Sequence, residues 1–219
     1  TSLTLAATST NDLHVGDISG SDKLTSLTMT TAAHNGTVEA NRLQDADSLE
    51  SLVLTGVGGD IEMDSTIGNS GSAENLATIT VTATAGSDID LIGAITLDDT
   101  DSPTDLVTTI TASANGSATG SDVSEVDFGA ITSTYGSINI TTSGDGLTTF
   151  DDVIAKGITV TGSGSGGTTI TDLTDTGTFT ATFTGSGTNT ITTSTATTST
   201  SIDGSAATGN NKYVTTATS

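Results

Sequence analysis

The sequence contains no cysteine, no tryptophan and a single proline, Pro103. Its only basic side chains are Lys23, Arg42, Lys156 and Lys212. Without cysteine no disulfide framework exists, which neither requires nor excludes secretion. Four cations against 26 acids give a net charge of −22. No basic patch is available to displace phosphate counterions, so nucleic acid is excluded as a partner, and an anionic membrane surface repels the chain. No run of 18 apolar residues occurs, so no membrane span is expected. The chain starts at Thr1 without methionine or signal peptide, as a mature or truncated piece of something longer would.

Large apolar residues are also scarce. Leu, Ile, Val and Phe make up 46 of 219 residues, and aromatics only 3%. That proportion borders on intrinsic disorder and is thin for a spherical domain of this length. Two options remain, a disordered Ser/Thr/Gly tract or a fold that needs few large residues per unit length. Most of the chain is Thr, Ser, Gly, Ala, Asp and Asn. Threonine suits strands, whereas Gly, Asn and Asp suit tight turns. Helix formers are sparse and no long 3.6-residue apolar stripe appears. The fold class is all-β.

A repeat decides between the two options. Asp22-Lys-Leu-Thr-Ser-Leu-Thr-Met-Thr30 recurs as Asp47-Ser-Leu-Glu-Ser-Leu-Val-Leu-Thr55, as Glu74-Asn-Leu-Ala-Thr-Ile-Thr-Val-Thr82 and as Asp105-Leu-Val-Thr-Thr-Ile-Thr-Ala-Ser113. The shared pattern is acidic-x-apolar-x-x-apolar-x-apolar, with starts 25, 27 and 31 residues apart. A second alternating run follows each block: Leu13/Val15/Ile18, Val38/Ala40/Leu43, Ile61/Met63/Ile67, Ile89/Leu91 and Val126/Phe128. From Gly136 onward the strands are expected at a looser interval. One such unit cannot bury its inward side chains alone, but stacked units roof one another. The spacing predicts a parallel β-helix, a β-solenoid of roughly 24–31-residue coils over 1–191. Residues 192–219 are expected to form a terminal segment, either a frayed end or a strand seeking a partner.

Calcium is the cofactor these residues suggest, because hard cations take several oxygens and Asp-rich turns supply them. The densest run is Asp98, Asp99 and Asp101, followed by Asp105. Further candidates are Asp60/Glu62/Asp64, Asp88/Asp90, Asp122/Glu125/Asp127, Asp151/Asp152 and Asp172/Asp175. Carboxylates crowded in one turn repel unless a cation lies between them. The alternative is that they only solvate exposed loops. The acids opening each repeat (Asp22, Asp47, Glu74, Asp105) form either a cation-binding column or turn residues that accept a backbone N–H. The glycine-rich calcium nonapeptide and the EF-hand loop are both missing. Catalytic patterns are missing too: there is no Gly-x-Ser-x-Gly elbow and no His-Glu-x-x-His pair, and only His14 and His34, 20 residues apart and within one coil of each other, could meet. No enzyme is expected. Asn35-Gly-Thr37, Asn115-Gly-Ser117 and Asn139-Ile-Thr141 match the N-glycosylation pattern, as a Ser/Thr-rich chain does by composition.

Leu49-Glu-Ser-Leu-Val-Leu54 and Leu76-Ala-Thr-Ile-Thr-Val81, set in cysteine-free Thr/Ala/Gly/Asp-rich sequence, resemble the β-solenoid parts of bacterial surface-layer proteins and giant secreted adhesins. The resemblance implies an extracellular, calcium-dependent structural protein. It would self-associate as a homo-oligomer or polymer, in a layer or filament, with a cell-surface glycan as anchor. The alternative it leaves open is the stalk or binding module of an adhesin. Only Tyr135, Tyr213 and four phenylalanines are available for a sugar-binding tip, which favours a stalk.

Overall fold

A computed structural model describes residues 1–8, 10–19, 23–32, 36–44, 46–67, 73, 75–97, 106–116, 123–196 and 199–215, without the side chains of 194–196 and 215. The chain is a parallel β-solenoid with no helix among the described residues. Its first sheet stacks β1 (Ser2–Ala7), β3 (Ser26–Thr31), β5 (Ser51–Val57), β7 (Thr78–Thr84) and β10 (Val107–Asn115). The second halves of β12 (Ile131–Gly144), β13 (Leu147–Gly162) and β14 (Thr168–Phe183) follow, and then β16 (Ser199–Asp203). The second sheet stacks β2 (Leu13–Val15), β4 (Val38–Ala40), β6 (Ile61–Met63), β8 (Asp88–Leu91) and β11 (Glu125–Phe128). It continues through the first halves of β13 and β14 to β15 (Thr190–Ala196) and β17 (Lys212–Thr215). A third, narrower side is built on bridges at Ile18, Leu43 and Ile67, on β9 (Ile95–Thr96) and on the middle of the long strands.

Strand alternation turns every second side chain inward, and the register joins those side chains into columns. In the first sheet one column runs Leu3, Leu27, Leu52, Ile79, Ile110, Ile140, Val160, Ala181, Ile202. In the second sheet Val15, Ala40, Met63, Leu91, Phe128, Phe150, Ile170, Ile191 and Tyr213 stack in the same way. The third side contributes Ile18, Leu43, Ile67, Ile95, Ile131, Val153 and Leu173. These columns meet on the axis as one continuous core, and all four phenylalanines lie in it. Phe128 and Phe150 stack with centroids 4.6 Å apart and planes 3° from parallel. Eight turns at about 4.8 Å each give a ladder about 38 Å long. A core a few side chains wide explains why so few large residues suffice.

The interval along the first column is 24, 25, 27, 31 and 30 residues as far as Ile140, as the residue numbers show. Beyond Ile140 it falls to 20, 21 and 21, at Val160, Ala181 and Ile202. The expected loosening after Gly136 is therefore reversed: the later coils are shorter and more regular. β12, β13 and β14 run 14, 16 and 16 residues, passing round the corner without an intervening loop. Glycines at a second corner let the coils close up. A Cβ on Gly164 would lie 2.3 Å from the Gly144 carbonyl oxygen, and one on Gly185 would lie 2.0 Å from that of Gly164. Beyond residue 192 the described residues continue the winding, with β16 parallel to β14 and β17 parallel to β15.

One inward column changes character along the rod. Leu13, Val38, Ile61, Ile89 and Val126 are followed by Thr148 and Thr168. Asn189 and Asn211 then complete it as a ladder of side-chain amides. Asn189 Oδ1 accepts the Thr168 N–H at 3.0 Å, and its Nδ2 donates to Asn211 Oδ1 at 2.8 Å and to the Gly187 carbonyl at 3.3 Å. Asn189 is buried, and these bonds satisfy an amide that would otherwise be costly there.

Candidate functional site

The acidic side chains are collected by the second sheet. Its strands are short and alternate, so Asp60-Ile-Glu62-Met-Asp64 turns Ile61 and Met63 inward and leaves its acids outside. In-register stacking then lines up acids from separate parts of the sequence. One outward column runs His14, Glu39, Glu62, Asp90 and Asp127, ending on Thr149. Beside it Asp88 stacks on Glu125, which is followed by Leu147. Neighbours in each column are about 4.8 Å apart along the axis.

The two columns differ in how their charge is met. In the second, Asp60 Oδ1 accepts the Asp88 N–H at 2.9 Å, and Asp88 Oδ1 accepts the Glu125 N–H at 3.3 Å. Asp12 does the same for Thr37 at 3.0 Å. These acids bind one coil to the next, a structural role for a turn carboxylate. In the first column Glu39 Oε2 lies 2.5 Å from His14 Nδ1. Glu62, Asp90 and Asp127 face mainly one another. Burial, then the charges of Asp127, Asp88, Glu62 and Asp60, push Asp90 up to about 6. Glu62 is raised by burial and by Asp64, Glu39 and Asp60, an effect that His14 opposes. Burial also raises Asp88 and Glu125; Asp60 adds to the first, Asp127 and Asp88 to the second.

A second meeting of acids lies round the corner. Asp152 and Asp172 are register partners on β13 and β14. Asp151 and Asp152 are exposed, but Asp172 Oδ1 is out of reach of water and has no hydrogen-bond partner. The sequence places these residues in separate clusters; one turn of the solenoid, 20 residues, brings them together. Asp175, buried three residues further on, accepts the Gly177 N–H at 2.9 Å, and its carboxyl is raised by burial.

Among the described residues, no group of three or more His, Cys, Asp or Glu is arranged to enclose a metal ion. The geometry accounts for this: a straight column offers oxygens from one side, whereas calcium takes six to eight around it. What the columns present is a line of carboxylates on one face, where burial and then mutual repulsion raise Glu62 and Asp90. Asp98, Asp99, Asp101, Asp105 and Asp122 lie outside the described residues, as do His34 and the repeat-opening acids Asp22 and Glu74. Asp47 is described, and stands exposed in a turn where its carbonyl accepts a hydrogen bond from the Asn75 side chain.

The ladder closes on a shallow depression of about 390 Å³ lined by Ile92, Glu125, Asp127, Leu147, Thr149 and Asp151. Ile92 is 63% exposed there. The basic residues are elsewhere. Arg42 is held by Asp17, with its Nη2 and Nε 2.8 and 3.1 Å from Oδ2. Lys156 follows the third-side column four coils further on, about 19 Å along the axis. Sequence reasoning passed over the His14–Glu39 pair and the Asp152–Asp172 pair. The alternation of Leu13-His14-Val15 against Val38-Glu39-Ala40 carries the signal for the first.

No protein-family model, curated protein or solved structure matches this chain. Its function therefore rests on the geometry alone.

Proposed function

We propose that the chain is a structural, non-enzymatic module of an extracellular layer, a stiff rod that joins its copies side by side through calcium shared between acidic faces. The observation that carries this reading is the pair of in-register carboxylate columns on the second sheet. Self-repulsion at −22 keeps such rods apart in a medium poor in divalent cations. Glu62, Asp90 and Asp127 on facing rods offer paired oxygens that a hydrated dication bridges. The register pair Asp152–Asp172 supplies a second contact point through its exposed Asp152. Calcium thus acts as a surface cement in this reading.

Sedimentation of the full chain in calcium, in magnesium and in excess chelator tests it. Large assemblies should form in calcium and dissolve on chelation, and the triple substitution Glu62→Gln, Asp90→Asn, Asp127→Asn should stay monomeric throughout. Assemblies that persist in excess chelator, or a triple variant that assembles like the parent, would count against it.

A further inference from the structure

The outward face of the first sheet has a composition of its own. Three outward positions per strand form three columns. The first runs Ser2, Ser26, Ser51, Thr78, Thr109, Asn139, Thr159, Thr180. The second runs Thr4, Thr28, Val53, Thr80, Thr111, Thr141, Thr161, Thr182. The third runs Ala6, Thr30, Thr55, Thr82, Ser113, Ser143 and continues as Ser163 and Thr184. Of these 24 positions on eight strands, 15 are threonine, six are serine and one is asparagine. Charged residues make up 14% of the chain, yet none stands among the 24; Asp203 on the ninth strand is the first. All 24 are exposed or half-exposed.

The array is also regular. The register shifts of the long strands fall at Ser133/Ser137, at Ala155/Gly157 and between β14 and β15, all outside this face. Rows therefore repeat at about 4.8 Å along the axis and about 6.7 Å along each strand, over about 500 Å². β-Branching stiffens each threonine, so its hydroxyl and methyl hold fixed positions. Ser143 donates to Ser113 at 3.1 Å. Among the described residues, the hydroxyls of Thr80, Thr111, Thr141, Thr161 and Thr182 have no protein partner. They face solvent as a lattice of donors and acceptors.

We propose that this face binds ice: its threonine and serine lattice holds a layer of ordered water that merges with the surface of a growing crystal. The partner must itself be uncharged, flat and periodic in two directions at a few ångströms, and built of small hydrogen-bonding units. Solid water has those properties. A charged side chain would keep its own hydration shell and break the match, and this face is clear of them. Crystalline polysaccharides are gripped by aromatic rings lying flat on the sugars, and no aromatic residue is among the 24. A second copy is opposed by the net charge that both rods carry. The inference does not depend on calcium or on lateral assembly, because it uses the other sheet.

The test grows ice slowly from a dilute solution of the full chain and measures its partition between crystal and liquid against a non-binding control protein. The chain should be enriched in the ice and should facet microscopic crystals. Thr111→Lys and Thr141→Lys, at the centre of the lattice, should each fall to the level of the control protein with unchanged circular dichroism. Thr171→Lys, exposed at a corner of the same rod, should keep the parent enrichment. Thr161→Tyr guards against misfolding of the lysine variants, since tyrosine favours strands but breaks the plane. Exclusion of the parent chain from ice would overturn the proposal. So would lattice variants that partition like the parent, adsorption to cellulose or chitin without enrichment in ice, or dimers through this face in place of ice binding.

Discussion

Replacing Phe150 with alanine probes the core where two aromatic rings stack. Phe150 is fully buried, with Phe128 stacked on it from the preceding coil and Ile170 opposite it on the next. Its removal strips packing from both neighbours and leaves a hole that the backbone ladders prevent from collapsing. Phe→Ala at such a site costs about 3–5 kcal/mol, of which the ring pair accounts for about 0.5–1.5 kcal/mol. In a solenoid each coil touches only its neighbours, so the loss stays local. Hydrogen exchange followed by mass spectrometry should show protection falling in β11 to β14 while β1 to β7 keep theirs. The thermal transition should broaden or split. Equal loss of protection at every coil, or a cost below about 1 kcal/mol, would refute nearest-neighbour stacking as the source of stability.

Three further outcomes follow from the same geometry. Asp90 is raised from its ordinary value near 4 to about 6, so the folded chain holds that proton more tightly than the unfolded one. Stability therefore falls as pH rises between roughly 4 and 6, and Asp90→Asn should raise the melting midpoint at pH 7.5 by about 1–3 °C after allowance for solvent screening; the gain should vanish near pH 4 in a melting series. Gly166→Ala would set a Cβ 1.8 Å from the Gly146 carbonyl oxygen and should cost at least about 2 kcal/mol, read by chemical denaturation. Asn189→Leu leaves the buried Thr168 N–H without its acceptor and should cost about 1–3 kcal/mol, with faster exchange confined to β14, β15 and β17.

The winding was legible because two separate apolar patterns recur in phase. Leu27/Met29, Leu52/Leu54 and Ile79/Val81 mark the first sheet, and Val38/Ala40, Ile61/Met63 and Ile89/Leu91 the second. The shortening of the later coils is not carried by the apolar residues, which thin out there. Its signature is the Gly-x-Gly at 144/146, 164/166 and 185/187, spaced 20 and 21 residues apart. Acid clusters read along the sequence missed the pairing across coils. Glu39, Glu62, Asp90 and Asp127 are 23, 28 and 37 residues apart, and only the register makes them neighbours. The neutral lattice was visible as threonine alternation, but its freedom from charge emerges only when the strands are superposed.

The asparagine ladder gives the rod a direction. Asn189 accepts from the preceding coil through its oxygen and donates to the next through its nitrogen, while Asn211 accepts on its oxygen and donates from its nitrogen to the Gly209 carbonyl at 3.3 Å. At the same column position Leu13 offers only hydrocarbon, so a coil of that kind beside an asparagine coil would leave a buried amide group unanswered, at about 1–3 kcal/mol. The order of the coils along the axis is thereby fixed by polar pairing as well as by apolar fit.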